Sequence, residues 1–288
     1  MSTEKKVVRK AQGTGKWFPG GAAELTGMIA HFLAETYIDE VKDPIVAAIS
    51  PHAGYIYSGP VAGYTYRALK DNAEIHGHPE TVVVLGFSHR GDTRGVSLMD
   101  GTAFSTPLGE TPLDADAANL LMAADSRISR DIRPHVGEHS LENQVPFIQT
   151  VFPRSALVMA LIGQRDSEFL GALSTALTTL AGQKKILVLA SSDMLHDPSY
   201  ERVRKRDQAT LKKVVAMDDS GVMHDWDYSQ QVFCGIGPVV TAMKYARGRG
   251  CQKATLLRYR NSGDDHPESR GQWVVGYGAV VFTIQKKT

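Results

Sequence analysis

Cysteine is scarce in this sequence of 288 residues, which contains only Cys234 and Cys251. Two cysteines are too few for the disulfide framework of a small secreted protein, and their scarcity favours a reducing compartment. The charged first ten residues are not followed by the apolar stretch of about seven or more residues that a secretory signal requires. We therefore expect a cytoplasmic protein.

Long hydrophobic runs and an excess of one charge are also absent. No segment approaches the roughly eighteen consecutive apolar residues of a membrane-spanning helix, so we expect no membrane association. The 32 lysines and arginines nearly balance the 31 aspartates and glutamates, and a net charge of +1 argues against a dedicated nucleic-acid-binding protein. Because no linker, repeat or low-complexity segment divides a chain that is 42% hydrophobic, we predict one globular domain over residues 1–288.

Short apolar runs rich in β-branched residues alternate with helical stretches along the chain. Four of these runs lack the polar alternation of a half-solvated sheet and are predicted to be buried strands: Ile45–Ser50, Thr81–Gly86, Ala156–Gly163 and Lys185–Ser192. Two more predicted strands, Ala254–Tyr259 and Trp273–Thr283, would pair antiparallel at one edge. The order predicts an α/β fold with a mostly parallel or mixed central sheet flanked by helices.

Helices are predicted where apolar residues are spaced three and four positions apart. The predicted helices are Gly20–Glu35, Ser58–Asp71, Asp114–Ala124, Ser140–Val151, Ser167–Leu180, Tyr200–Met217 and Pro238–Arg247. Several begin at a small polar residue that can cap the first turn, and the last begins at a proline, which suits that turn.

Three of the four buried strands lead into a histidine. His52 follows the first of them, His89 the second, and Asp193 and His196 the fourth. In open α/β sheets the carboxyl ends of parallel strands converge on the ligand-binding edge. A single loop histidine is usually solvated or hydrogen bonded, but three at equivalent strand ends indicate a shared pocket.

Cys234 lies immediately before the last predicted helix. A helix N-terminus favours negative charge, so a thiolate at this position would be stabilised as a nucleophile or as a metal ligand. A buried structural thiol is the alternative interpretation, and the sequence alone favours neither.

The stretch Arg133–Gln144 concentrates basic and acidic groups around His135 and His139. It has two interpretations. It would form a wall of the pocket, or it would be the start of a helix that is capped by Ser140.

Seven segments of the chain resemble the Memo family in order and in spacing, over nearly the whole length. They are Gly15–Gly20, Ser50–Gly59 (SPHAGYIYSG), Gly86–Arg90 (GFSHR), Glu138–Phe147 (EHSLENQVPF), Ser191–His196 (SSDMLH), Cys234–Pro238 (CGIGP) and Val274–Phe282 (VVGYGAVVF). The resemblance implies a fold similar to class III extradiol dioxygenases, which are non-haem iron enzymes that open catechol-type rings. Those enzymes hold iron with two histidines and a carboxylate, whereas the matching third position here is Cys234.

The resemblance implies a mononuclear metal site. It places His52, His89 and Cys234 on the metal-binding positions of the family. A soft thiolate among the ligands admits Fe(II), Cu(I) and Zn(II). The resemblance makes iron the first choice and copper the second, with zinc behind both.

The resemblance also assigns four further pocket positions. Asp193 and His196 fall on catalytic positions, and His196 matches the acid/base histidine of the dioxygenases. Trp17 and Tyr55 lie in segments that line the pocket mouth of the family, and we expect them to contact the substrate.

Three functions remain open at this point. The first is a metal-dependent oxidoreductase that acts on a small oxygen-containing substrate. The second is a non-catalytic module that captures a peptide, since animal Memo proteins are associated with phosphotyrosine-peptide binding. The third is sequestration of iron or copper. The resemblance also suggests a radical-SAM protein as a partner, since microbial Memo-like chains are often fused or encoded with such proteins.

Overall fold

The computed structural model describes residues 6–91, 93–227 and 229–285. The domain predicted over residues 1–288 therefore extends beyond the described residues at both ends. The architecture is α/β, with a mixed central sheet flanked by helices, and this confirms the predicted fold class.

Twelve strands lie within the described residues. They are β1 (Val8–Lys10), β2 (Ile45–Ser50), β3 (Thr81–Phe87), β4 (Val96–Leu98), β5 (Ala103–Thr106), β6 (Gly109–Pro112), β7 (Ile128–Arg130), β8 (Ala156–Ile162), β9 (Ile186–Ser191), β10 (His196–Asp197), β11 (Ala254–Asn261) and β12 (Val274–Thr283). Strands β1, β5 and β6 form a small sheet, and the other nine form the central sheet.

The middle of the central sheet is parallel. Strands β2, β9, β3 and β8 lie side by side in that order and run in one direction. On one side β12 pairs antiparallel with β2, and it also pairs antiparallel with β10 and β11. The predicted antiparallel pairing of the last two long strands is therefore confirmed. On the other side β4 pairs antiparallel with β8 and parallel with β7.

Nine α-helices lie within the described residues. They are α1 (Ala22–Ala34), α2 (Tyr55–His76), α3 (Ala115–Ala124), α4 (Val145–Val151), α5 (Ser167–Ala181), α6 (Tyr200–Val215), α7 (Asp219–Asp225), α8 (Ile236–Gly248) and α9 (Ser262–Asp265). The carboxylates of Asp114 and Asp166 and the hydroxyl of Ser199 each accept a backbone N–H in the first turn of α3, α5 and α6, as helix caps do. No helix in the described part of the chain is both long and apolar enough to cross a membrane.

The two faces of the central sheet carry separate hydrophobic cores because successive side chains of a strand point to opposite faces. In β3, Val82 and Val84 pack with residues of α1, α2 and α4, whereas Val83 and Leu85 pack with residues of α3, α5 and α8. Burial on both faces explains why these strands are apolar without alternation.

The predicted helix Ser140–Val151 is wrong in its first half. A 3₁₀ turn spans Glu142–Gln144, and the α-helix begins only at Val145. Ser140 does not cap it, because its hydroxyl donates to the Phe87 carbonyl over 3.0 Å. The polar side chains of the turn are buried and bind distant backbone groups, so this segment follows tertiary contacts and not helical periodicity.

Candidate metal centre

A cavity of about 730 Å³ opens at the carboxyl ends of β2, β9 and β3. The strand-end residues that the sequence predicted for a shared pocket therefore lie together at one edge of the sheet. The predicted residues that line the cavity are Trp17, Tyr55, His89, Asp193 and His196. His52 and Cys234 are fully or almost fully buried next to it.

Hydrogen bonds determine which nitrogen of His52 is free. Its Nδ1 lies 3.1 Å from Ser191 Oγ, and that hydroxyl gives its own proton to the Ser140 carbonyl. Ser191 Oγ also accepts from Gln144 Nε2 over 2.9 Å. Nδ1 of His52 must therefore be the donor, and Nε2 keeps a lone pair. Burial, with His89 nearby, lowers the pKa of His52 to about 3, so the imidazole is neutral at pH 7.

Glu138 orients His89 in the same way. The His89 Nδ1 lies 2.9 Å from Glu138 Oε1, and the carboxylate also accepts the backbone N–H groups of His89, His139 and Ser140 over 2.7–2.8 Å. Burial alone would raise the pKa of Glu138, but the hydrogen bonds from His89 outweigh it and lower the pKa to about 2. The ionised carboxylate thus accepts the proton on Nδ1 of His89, and the lone pair of Nε2 is left to bind a metal ion.

Cys234 faces His52 across the buried end of the cavity. Its Sγ lies 3.4 Å from His52 Nε2. The chain before α8 is held against the end of β9, because Cys234 N donates to the Asp193 carbonyl and Gly235 N donates to Ser192 Oγ. A Cβ at residue 235 would lie 2.9 Å from the Ser191 carbonyl oxygen, so only glycine allows this close approach.

The protonation of Cys234 depends on what lies beside it. Burial and the nearby Asp193 carboxylate raise the pKa of the thiol far above its usual value. These effects outweigh the predicted stabilisation of a thiolate by the following helix. A bound cation has the opposite effect, since metal ions deprotonate a coordinating thiol.

Asp193 and His196 bring two ionisable groups to the same cavity. Asp193 Oδ1 accepts the backbone N–H groups of His52 and Ala53 over 2.7 and 3.2 Å, and Oδ2 lies 4.0 Å from His52 Nε2. Burial raises the pKa of Asp193 and lowers that of His196. The Nε2 of His196 is buried and has no hydrogen-bond partner among the described residues. This nitrogen is therefore available to a bound molecule.

The donor set of His52, His89 and Cys234 fits a metal ion. One ligand atom from each residue lies within 4.8 Å of the other two. A tetrahedral ion with metal–nitrogen and metal–sulfur bonds of about 2.0 and 2.3 Å separates the two ligand atoms by about 3.5 Å, close to the 3.4 Å between His52 Nε2 and Cys234 Sγ. Both histidines also have the carboxylate or hydroxyl partner on Nδ1 that is typical of metal-ligating histidines.

A second group, formed by His89, Glu138 and His139, also has ligand atoms within 4.8 Å of one another. Its carboxylate, however, already accepts three backbone N–H groups and the Nδ1 proton of His89. Few lone pairs of Glu138 remain for a cation, so this carboxylate serves as the partner of His89 and not as a ligand.

Aromatic rings form much of the cavity wall. The Trp17 indole stacks on His139 with ring centroids 3.9 Å apart and planes at 5°. Tyr55 is among the lining residues but is almost fully buried, and its hydroxyl donates to the Asn143 carbonyl over 2.8 Å. Of the two residues predicted to contact the substrate, Trp17 offers a flat surface, and Tyr55 offers no free polar group.

Glu138 and His139 are pocket residues that the sequence left ambiguous. His139 packs on His89 with centroids 4.5 Å apart, so the pocket-wall interpretation is correct for this histidine. His135 is buried and bonds the Ser97 carbonyl over 3.0 Å, so it belongs to the structural framework. The sequence feature that could have identified these two pocket residues is the adjacent carboxylate and histidine of Glu138-His139.

Comparisons with known proteins agree over nearly the whole chain. A family model described as Memo-like protein matches residues 9–281. A MEMO1 family protein of Methanopyrus kandleri is 31% identical over 281 residues, which cover 93% of this chain and 96% of that protein. One of Ignicoccus hospitalis is 33% identical over 294 residues, which cover 96% of this chain and 99% of that protein.

A solved structure supports the fold. The crystal structure of an uncharacterized protein from Escherichia coli K12 superposes with a TM-score of 0.51 and covers 84% of this chain and 100% of its own. The two sequences are 12% identical, so this likeness shows the fold alone.

Proposed function

The chain belongs to the Memo-like family, and from that premise we propose that it binds one metal ion through His52, His89 and Cys234 for redox chemistry on a small oxygen-containing substrate. The observation that supports the proposal most strongly is the 3.4 Å separation of His52 Nε2 and Cys234 Sγ, with Nδ1 of each histidine already bonded. Such a set brings three donor atoms within 4.8 Å of one another and would leave further coordination positions of a metal ion open.

Iron is the metal we propose first, and copper second. Two imidazoles and a thiolate suit both, and the thiolate favours softer ions over the magnesium or calcium that carboxylate oxygens prefer. When bound, iron or copper would supply one-electron redox chemistry next to the cavity. The change from a carboxylate to Cys234 distinguishes this site from that of the ring-opening dioxygenases.

Asp193 and His196 would handle protons at this site. The unpartnered Nε2 of His196 can take a proton from a bound hydroxyl group or return one to it. Within the described ranges Asp193 Oδ2 has no backbone donor, unlike Oδ1, and it can accept a hydrogen bond from the same group. Trp17 would provide a flat apolar wall for the rest of the substrate.

A second candidate function is peptide capture. Exposed hydrophobic side chains flank the cavity, namely Ile56 at 62% exposure and Trp273 at 58%. Exposed apolar groups around a cavity are typical of interaction sites. This function would not need the metal, so removal of the ligands separates the two candidates.

The decisive experiment is metal analysis by mass spectrometry on protein purified without oxygen. It compares the native chain with a His52→Ala, Cys234→Ala double variant and with a His76→Ala, Cys251→Ala control, which removes the same residue types outside the pocket. We expect about one iron or copper per chain in the native and control proteins and none in the double variant. No metal in any of the three would refute the metal centre and favour peptide capture.

A further inference from the structure

Residues 11–19, called here the N-terminal strap, connect β1 with α1. This strap forms one wall of the cavity. It is tied at both ends. Ala11 N donates to the Ser105 carbonyl in the small sheet over 2.8 Å, and the Trp17 carbonyl accepts Tyr55 N at the start of α2 over 2.8 Å. The position of the strap therefore decides how far the cavity is covered.

A buried carboxylate holds the middle of the strap. Glu142 is 2% exposed, and its Oε2 accepts Gln12 N over 2.7 Å and Gly13 N over 2.8 Å. The Gly13 carbonyl in turn accepts Trp17 N over 2.9 Å. A second tie runs from Gly137 N to Gln12 Oε1 over 2.9 Å. Glu142 is thus one peptide unit away from the hydrogen bond that places Trp17.

Trp17 is the residue of the strap that lines the pocket with its indole ring. A Cβ on Gly13 would be 3.0 Å from Trp17 Cδ1, so the indole packs directly on the backbone of its own strap. The indole also stacks on His139, and His139 stacks on His89 at 4.5 Å with planes at 20°. His139 therefore covers one face of the His89 ring, and the Trp17 indole of the strap covers His139. The His89 side chain is 35% exposed.

The neighbours of Glu142 hold the opposite side of the site. Asn143 Nδ2 donates to the His52 carbonyl over 2.5 Å, and Gln144 Nε2 donates to the Pro51 carbonyl over 2.9 Å. Burial of three consecutive polar side chains is costly unless each is hydrogen bonded. Asn143 and Gln144 bind the carbonyls of His52 and Pro51, whereas Glu142 binds the strap. The 3₁₀ turn therefore links the strap to the segment that carries the proposed metal ligand His52.

We propose that Glu142 is a positioning residue that clamps the N-terminal strap, keeps Trp17 stacked on His139 and thereby closes the cavity beside His89. The strap then limits the exchange of a metal ion, because the His89 side of the site opens only when the indole leaves His139. The role of the strap in metal exchange rests on the function proposed above, whereas the clamping of the strap by Glu142 does not.

Two variants of Glu142 test the clamp. Leucine has a similar size and no acceptor, so Glu142→Leu loses both hydrogen bonds to the strap. Glu142→Gln keeps one side-chain oxygen, which can accept both N–H groups as Oε2 does. Thr14→Ala is the matched control, since Thr14 lies in the strap and its hydroxyl donates to the nearby Ala11 carbonyl over 3.2 Å.

The first measurement needs no metal. Fluorine NMR of protein labelled with 5-fluorotryptophan resolves the three tryptophans, and Trp17→Phe assigns the signal of Trp17. We expect Glu142→Leu to shift and broaden this signal, because the stacked ring is released, and Glu142→Gln and Thr14→Ala to leave it in place. An unchanged Trp17 signal in Glu142→Leu would overturn the clamp.

The second measurement is the rate at which a chelator removes Fe(II) from the loaded protein. We expect release from Glu142→Leu to be faster by about tenfold or more, since both hydrogen bonds to the strap are lost. A changed Trp17 signal with an unchanged release rate would overturn the role in metal exchange. If the native chain binds no iron, the metal function fails, and the NMR result still decides the clamp.

Gly13→Ala keeps the test decisive if Glu142→Leu does not fold. The added methyl group would lie 3.0 Å from the indole and displace it without a change at Glu142. We expect the same change in the Trp17 signal and faster release of iron. A native-like signal and a native release rate in this variant would overturn the proposal.

Discussion

Replacement of Glu138 by glutamine tests whether the orientation of His89 controls metal affinity. The carboxylate accepts His89 Nδ1–H and the backbone N–H groups of His89, His139 and Ser140, all within 2.7–2.9 Å. In Glu138→Gln one oxygen becomes an NH₂ group, which then faces at least one N–H donor. Loss of such a partner weakens metal binding by about 10- to 100-fold, or about 1.4–2.8 kcal/mol.

The assay is a titration of metal-free Glu138→Gln with Fe(II) against a competing chelator, without oxygen. Glu80→Gln is the matched control, because Glu80 also accepts a backbone N–H group, that of Lys185 over 3.1 Å. Both residues lie at the starts of β3 and β9, at the opposite end of these strands from the cavity. Both variants lose one negative charge, so the comparison accounts for the change in net charge. Equal affinities in the two variants would refute the role of Glu138 in orienting His89.

Two further predictions concern buried titratable groups. Burial raises the pKa of Asp207 from 3.8 to about 8, so the folded state holds a proton that the unfolded state releases, and stability falls as the pH rises from about 4 to about 8. Asp207→Asn should flatten this dependence in urea unfolding at pH 5 and pH 8, and parallel profiles for the two proteins would contradict the shift. His196→Ala should keep its metal and lose about 10²- to 10⁴-fold of any turnover, whereas metal loss equal to that of His52→Ala would make His196 a ligand.

The long strands were predictable because burial on both faces leaves a clear pattern. The run Thr81–Gly86 became β3 with one extra residue, and Ile45–Ser50 became β2 without change. Strand β4, with three residues, was not predicted. A segment of that length has no measurable periodicity, and it is a strand because the edge of β8 provides its hydrogen-bond partners.

The site was predictable only in part. Because the carboxyl ends of parallel strands meet at one edge of the sheet, the sequence predicted that His52, His89 and His196 lie near one another, and they do. The partners that determine their protonation were not predictable, because Ser191 meets His52 from a position 139 residues away in the chain. The turn at Glu142–Gln144 was predicted as helix for the same reason, since its polar side chains are explained only by distant backbone groups.

The spacing of the three proposed ligands along the chain also bears on protein synthesis. Cys234 follows His52 by 182 positions, although their side-chain atoms lie 3.4 Å apart. A growing chain on the ribosome therefore holds both histidines long before the thiol, and the complete donor set forms only when α8 docks beside β9. Metal loading would follow translation, and an ion at 100 times its dissociation constant would then stabilise the finished fold by about 2.7 kcal/mol.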